Sequence, residues 1–123
     1  MAVVDDEAAL RRMLRRVLRL ANYRVSTFAS GEEFLASLAT DAPACVILDV
    51  HMPGLSGFDV QAHLRAMQIE IPVIFITASD APALDKLVGH AHGTELLRKP
   101  FVTECLLNAI GKLIGKRGVI AQD

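Results

Sequence analysis

The sequence predicts an α/β fold built on a doubly wound parallel sheet. Five short apolar segments alternate with five segments of helical period along the chain. Two of the apolar segments, ACVILD (44–49) and PVIFIT (72–77), lack the polar alternation of a half-exposed strand, which indicates burial on both faces. Strands joined by single helical crossovers form a parallel sheet with helices on both sides.

The chain begins with a strand, AVV (2–4), followed by an amphipathic helix. The face of this helix predicted to lie on the sheet comprises Leu10, Met13, Leu14, Val17, Leu18 and Ala21. The opposite face comprises Arg11, Arg12, Arg15, Arg16 and Arg19. We interpret the arginines as a solvated face, and the alternative is a docking patch for an acidic partner.

Capping signals locate the next two helices. RVSTF (24–28) alternates as a strand, and SGEE (30–33) is a capping-box start for a helix that ends near Ala39. ACVILD is the third strand, and Ser56 is a predicted N-cap of a helix that runs through Met67.

The second half of the chain repeats the alternation. After PVIFIT, a helix is predicted to start at Asp80 and Pro82 and to end near His90. TELLR (94–98) is the fifth strand, and a last helix is predicted over about 103–115.

Composition limits the function classes. The 123 residues fit one domain, and the formal net charge of −1 gives no overall field for nucleic acid or anionic membrane. The N-terminus lacks the pattern of a signal peptide, and no apolar run reaches the ~18 residues of a spanning helix. Cys45 and Cys105 have no CxxC partner and are predicted to be reduced core residues of a cytoplasmic protein.

Polar residues follow the predicted strands. They are Asp5 and Asp6 after the first strand, Asp49 at the end of the third, Thr77 at the end of the fourth and Lys99 after the fifth. Singly, each fits a structural role, such as an N-cap for an acid or a solvated charge for the lysine. Ligands of open α/β sheets bind outside the carboxyl ends of the strands, so their convergence there favours a binding site.

The three carboxylates favour a cation. Like charges ~4 Å apart cost several kcal/mol at an effective dielectric of about 20, and a divalent cation with the Lys99 ammonium balances three negative charges. Oxygen ligands without a His or Cys cluster favour Mg²⁺ or Mn²⁺. With the Thr77 hydroxyl, these groups suit a phosphoryl group, and Asp49 can attack phosphorus to form an acyl phosphate.

Four motifs extend over nearly the whole chain: DD (5–6), LDVHMPGLSG (48–57), VIFITAS (73–79) and RKPF (98–101). Their order and spacing resemble those of the receiver domain of two-component response regulators. The residues within the motifs are similar to those of receivers that precede helix-turn-helix transcriptional output domains. The resemblance implies a flavodoxin-like (βα)5 fold with strand order 2-1-3-4-5.

The resemblance also implies the roles of the phosphoryl site. Asp49 would be the phospho-acceptor, Thr77 would follow the phosphoryl group as a switch residue, and Lys99 would pair with it. The peptide bond between Lys99 and Pro100 would be cis.

The same resemblance implies the metal ligands. Asp6 and Asp49 would bind Mg²⁺ (or Mn²⁺) directly, the backbone carbonyl of His51 would be a third protein ligand, and Asp5 would act through water. The switch position departs from the family. Leu96 occupies the place of the usual aromatic switch residue, so the usual coupling has no ring to move and the readout must differ or be weaker.

The sequence therefore predicts a phosphorelay receiver that switches a partner or output interaction. The phosphoryl group would come from a sensor histidine kinase or a phosphotransfer protein, and the chain would not be an enzyme beyond self-phosphorylation and slow autodephosphorylation. We expect a receiver domain over 1–117 and a tail or linker remnant over 118–123, which can lead to a DNA-binding output domain in a longer chain. We expect no membrane association and no direct nucleic acid binding by this domain, and a homodimer through the fourth helix, fifth strand and fifth helix is an option.

Two other functions remain open. One is a degenerate receiver that binds proteins without responding to phosphate, which Leu96 supports. The other is a phosphatase with an Asp nucleophile, similar to haloacid dehalogenases. That chemistry needs a second acid two residues after the nucleophile, where this chain has His51.

Overall fold

A single parallel sheet organises the protein. The computed structural model describes residues 1–78 and 93–122, with side chains up to residue 114. The five strands are β1 (Ala2–Val4), β2 (Ser26–Phe28), β3 (Val46–Asp49), β4 (Val73–Thr77) and β5 (Thr94–Arg98). Their spatial order is β2-β1-β3-β4-β5 and every pairing is parallel, which confirms the predicted sheet.

Four helices lie within the described residues: α1 (Ala8–Leu20), α2 (Gly31–Ser37), α3 (Gly57–Ala66) and α4 (Thr103–Gln122). The helix predicted between Asp80 and His90 falls outside the described residues. The last helix begins at Thr103 as predicted but continues past Gly115 to Gln122. The second strand begins at Ser26, two residues later than predicted.

Ser30 and Ser56 cap α2 and α3 as predicted, but the capping box predicted at α2 is incomplete, because the Glu33 carboxylate accepts from the Ala29 N–H at 3.0 Å and not from the Ser30 N–H. The Ser30 hydroxyl accepts a hydrogen bond from the Glu33 N–H at 3.2 Å. At α3, Ser56 and Asp59 form a reciprocal capping box, with the Ser56 hydroxyl accepting from the Asp59 N–H at 3.1 Å and the Asp59 carboxylate accepting from the Ser56 N–H at 3.0 Å. These bonds fix where the chain leaves the loops that precede the two helices.

The central strands β1, β3 and β4 are buried on both faces of the sheet, as continuous apolar strands predict. Successive strand residues point to opposite faces of the sheet, so Ile47 and Leu48 belong to two separate clusters of buried side chains. One cluster receives Phe34, Val60 and Leu64 from α2 and α3. The other receives Leu14, Leu18, Leu106, Ala109 and Ile110 from α1 and α4.

Two residues predicted to be buried are not. Cys105 is exposed, because the buried stripe of α4 starts at Leu106 and the preceding residue is rotated about 100° away from it. Met13 is 44% exposed for the same reason, since the buried line of α1 runs through Leu14. Cys45 is buried and free, as predicted.

Strand register brings the polar residues to one edge. Val4 of β1 is level with Leu48 of β3, so Asp5 and Asp49 follow at the same height. Thr77 ends β4 at this edge, beside the end of β5. The site predicted from the sequence therefore lies at the carboxyl edge of the sheet. In the part of the chain that the structure describes, no helix is both long enough and apolar enough to cross a membrane.

Candidate functional site

Asp5 occupies the first turn after β1 and is fully buried, whereas Asp6 is exposed. The Asp5 N–H donates to the Phe28 carbonyl at 3.1 Å, which extends the β1–β2 ladder by one residue. Its Oδ1 accepts a hydrogen bond from the Glu7 N–H at 2.8 Å. The Asp5 side chain is thus fixed by the backbone that leads into α1.

Asp49 is the last residue of β3 and is 4% exposed. Its Oδ1 accepts a hydrogen bond from the His51 N–H at 3.2 Å, while the His51 side chain is exposed. His51 therefore contacts the site through its main chain, and its imidazole lies outside. The role of its carbonyl as a metal ligand stays a prediction.

Lys99 connects the two buried acids. Its Nζ is 3.4 Å from Asp5 Oδ2 and 3.7 Å from Asp49 Oδ2. The Lys99 N–H donates to the carbonyl of the buried Thr77 at 2.7 Å, which anchors the lysine to the end of β4. The peptide bond between Lys99 and Pro100 is cis, as the resemblance implied.

The three acids form a candidate cation site. One carboxylate oxygen from each of Asp5, Asp6 and Asp49 lies within 4.8 Å of the others. This cluster offers only oxygen, the donor that Mg²⁺ and Mn²⁺ prefer, so the residues present fit such an ion.

Electrostatics at this site oppose full ionisation. Burial, followed by the negative charge of Asp5, raises the pKa of Asp49 to about 6, although Lys99 acts in the opposite direction. Burial likewise raises the pKa of Asp5, against the Glu7 hydrogen bond and Lys99. One ammonium is insufficient for three carboxylates, and a divalent cation would supply the missing charge.

Leu96 lies in the middle of β5 and is half-buried. It packs against the apolar cluster that includes Phe75, its neighbour in the sheet. The residue at the atypical switch position is therefore a packed aliphatic side chain.

Two further residues shape the site in ways that the sequence pattern does not indicate. The sequence identifies Gly57 only as the last residue of the LDVHMPGLSG motif, yet a Cβ there would lie 2.5 Å from the Asp49 carbonyl oxygen, so α3 can start this close to β3 only with glycine. The helical period predicts Arg11 on the solvated face, yet its Nη1 donates to the Asp5 carbonyl at 2.7 Å. Neither charge nor helical period indicates this bond, because it depends on how the loop turns into α1.

Comparisons with known proteins agree with this geometry. The family model for the response regulator receiver domain matches residues 1–111. Nodulation protein W of Bradyrhizobium diazoefficiens is 37% identical over 108 residues, which cover 88% of this chain and 48% of that protein. The probable transcriptional regulatory protein TcrX of Mycobacterium tuberculosis is 34% identical over 122 residues, covering 98% of this chain and 52% of that one.

Two solved structures are similar to this chain over more than nine tenths of each chain. A response regulator receiver protein from Burkholderia phymatum has a TM-score of 0.81 at 39% identity, covering 93% of each chain. Chemotaxis protein CheY4 of Vibrio cholerae has a TM-score of 0.81 at 31% identity, covering 91% of this chain and 95% of that one. The chain spans about half the length of the curated relatives it matches. On its family match, its fold and its acidic site, the chain belongs to the response regulator receiver domains of two-component signalling.

Proposed function

We propose that this receiver accepts a phosphoryl group on Asp49 in a Mg²⁺-dependent reaction. The observation that carries the proposal is the position of the Lys99 ammonium, 3.4 Å from Asp5 and 3.7 Å from Asp49. A carboxylate that ends a buried strand beside a fixed ammonium and two further acids is suited to receive and hold a phosphoryl group.

The reaction forms one bond and breaks another. A carboxylate oxygen of Asp49 attacks phosphorus in line with the nitrogen of a phosphohistidine, the P–N bond breaks, and that nitrogen takes up a proton from solvent. The Lys99 ammonium pairs with a phosphoryl oxygen, and the Thr77 hydroxyl donates a hydrogen bond to another. The Asp49 carboxylate is already oriented by the His51 N–H.

Asp6 and Asp49 would hold Mg²⁺ directly, with the His51 carbonyl as a third ligand and Asp5 acting through water. Bound there, the ion would neutralise charge on the phosphoryl oxygens during transfer. The closeness of the three acids supports this assignment, since their oxygens lie within 4.8 Å of one another.

Partners follow from the chemistry of the donor. We propose a sensor histidine kinase or a histidine phosphotransfer protein as the source. Because the curated relatives are about twice as long and include proteins named as transcriptional regulators, we propose that a DNA-binding output domain follows residues 1–117 in a longer chain. A homodimer through β5 and its flanking helices stays a proposal.

Leu96 supports a second candidate function, a degenerate receiver. A receiver that binds partners without responding to phosphate needs no mobile ring, and Leu96 is packed into the apolar cluster of the sheet. Amide NMR shifts on adding beryllofluoride with Mg²⁺ separate the two. Shifts that extend along β5 (Thr94–Arg98) support a working switch, and shifts restricted to residues around Asp49 support the degenerate receiver. The phosphatase is disfavoured because His51 replaces its second acid.

Intact-mass measurement tests the proposed function. The protein is incubated with acetyl phosphate, with Mg²⁺ or with EDTA. We expect a single phosphoryl adduct with Mg²⁺ only, its loss in Asp49→Asn, and its retention in Asp41→Asn, an exposed acid away from the site. An adduct that survives Asp49→Asn contradicts the proposal.

A further inference from the structure

The arginines of α1 are not equivalent. Arg12, Arg15, Arg16 and Arg19 are exposed, as a solvated face requires. Arg11 is half-buried, and its Nη1 donates a hydrogen bond to the Asp5 carbonyl at 2.7 Å. A charge-assisted bond of this length to a neutral carbonyl is among the stronger protein hydrogen bonds.

The bond closes the short loop between β1 and α1. Glu7, the N-cap residue, makes no side-chain capping bond, and the first turn of α1 has no acidic residue. Two other bonds hold the loop: the Glu7 N–H donates to Asp5 Oδ1 at 2.8 Å, and the Arg11 guanidinium donates to the Asp5 carbonyl. The backbone N–H of Arg11 also donates to the Glu7 carbonyl at 3.1 Å. Arg11 thus supplies a restraint that the helix N-terminus lacks.

The carbonyl that Arg11 holds belongs to the peptide between Asp5 and Asp6. The plane of this peptide sets the directions in which both side chains leave the backbone. Their negative charges repel each other and that of Asp49, which favours spreading of the loop when no cation is bound. A guanidinium fixed on this carbonyl opposes that spreading.

We propose that Arg11 is a positioning residue that preorganises Asp5 and Asp6 for Mg²⁺. This inference rests on the metal site of the proposed function. Arg11 contacts neither of the two carboxylates in the structure and acts through the backbone that carries them.

A purely electrostatic role and a positioning role predict opposite changes in Mg²⁺ affinity when Arg11 is removed. Loss of a nearby positive charge alone would tighten Mg²⁺ binding, because it removes repulsion of the cation. Loss of preorganisation weakens it, because the ion must then order the loop. The sign of the change therefore identifies the role.

The test is a calorimetric Mg²⁺ titration of wild type, Arg11→Met and Arg12→Met in the full chain. Methionine keeps an unbranched stem and helix propensity while removing charge and donor. We expect about tenfold weaker Mg²⁺ binding in Arg11→Met, the range found for groups that support metal ligands. Arg12→Met, one residue away and exposed, is expected to bind Mg²⁺ as wild type does.

A second readout needs no metal. Hydrogen exchange at the Glu7 amide, measured in EDTA, is expected to accelerate in Arg11→Met and to stay unchanged in Arg12→Met, because the Asp5–Glu7 bond depends on the loop. If Arg11→Met fails to fold, Arg11→Gln, whose shorter amide falls short of the carbonyl, replaces it in both measurements.

Unchanged or tighter Mg²⁺ binding in a folded Arg11 variant overturns the inference, as does unchanged Glu7 exchange. If wild type itself fails to bind Mg²⁺, the proposed function fails instead, so the two failures are distinguishable.

Discussion

The Lys99 ammonium lies between Asp5 and Asp49, 3.4 Å from one carboxylate and 3.7 Å from the other. One cation thus serves two buried acids from different strands. The Lys99 N–H also donates to the carbonyl of Thr77, the last residue of β4, at 2.7 Å. This arrangement links the strand ends electrostatically and makes Lys99 the most informative single position to change.

Lys99→Met is expected to destabilise the metal-free protein at pH 7.5 by about 1 to 2 kcal/mol, since two buried carboxylates lose their cationic partner. Phosphorylation by acetyl phosphate should slow strongly in the same variant, because nothing replaces the ammonium on the phosphoryl oxygens. Urea unfolding and intact mass measure the two effects. Lys112→Met, which removes an exposed lysine 3.8 Å from Glu95, should change neither, and equal effects of the two variants would contradict the role of Lys99.

Asp49→Asn is expected to stabilise the metal-free protein at neutral pH. The folded pKa of Asp49 is about 6 against an ordinary 3.8, so between these values the folded form keeps a proton that the unfolded chain has lost. The free energy of unfolding therefore falls as the pH rises through this window and stays low above it. The neutral amide introduced by Asp49→Asn does not carry the free-energy cost of a buried charge, although Lys99 loses a partner. The free energy of unfolding of Asp49→Asn should therefore exceed that of wild type by about 1 to 2 kcal/mol at pH 7.5.

This gain should shrink to a few tenths of a kcal/mol near pH 3.5, where Asp49 is protonated in the folded form and mostly protonated in the unfolded chain. Urea unfolding across the pH range gives the profile. Asp41→Asn, at an exposed site, should stay within about 0.5 kcal/mol of wild type throughout. A gain in Asp49→Asn that does not depend on pH would refute the electrostatic explanation.

Mg²⁺ affinity is expected to rise with pH up to about pH 6 to 7 and then to level off. Binding requires ionised carboxylates, and the pKa values of Asp49 and Asp5 are both raised. Calorimetry at pH 5, 6 and 7.5 in buffers of different ionisation enthalpy should also detect proton release at the two lower values. Affinity that is constant over this range would mean that these carboxylates do not bind the ion.

Gly57→Ala is expected to destabilise the fold by about 1 to 3 kcal/mol, because the new Cβ would lie 2.5 Å from the Asp49 carbonyl oxygen. Gly111→Ala in α4 is the matched control. Its Cβ would meet no atom within 4 Å, so it should stabilise the protein by about 0.5 to 1 kcal/mol through helix propensity. Opposite shifts of the urea midpoint confirm the close packing of α3 on β3, and equal shifts contradict it.

Much of the site could be predicted because parallel strands align their carboxyl ends. The strand boundaries and their alternation with helices were enough to predict that four residues converge: Asp5, Asp49, Thr77 and Lys99. Periodicity also gave the buried face of α1, but it assigns the borders of a stripe poorly, and Met13 lies at such a border. Cys105, predicted to be a core residue, lies beside the buried stripe of α4.

Contacts that depend on backbone paths were missed. The bond from Arg11 to the Asp5 carbonyl requires knowing how the loop turns into α1, which neither charge nor period reports. The role of Gly57 depends on the distance between α3 and the end of β3, a tertiary property. Leu96 was identified only as a departure from a family pattern, and its packing into the apolar cluster came from the structure.

The central claim is that Asp49 is the Mg²⁺-dependent phospho-acceptor. The most direct measurement is borohydride reduction after treatment with acetyl phosphate, followed by peptide mass spectrometry, because reduction of an aspartyl phosphate leaves homoserine at the modified residue. The account predicts homoserine at position 49 with Mg²⁺ and none with EDTA. Homoserine at Asp5, Asp6 or another acid, or equal labelling of Asp49 without Mg²⁺, would contradict it.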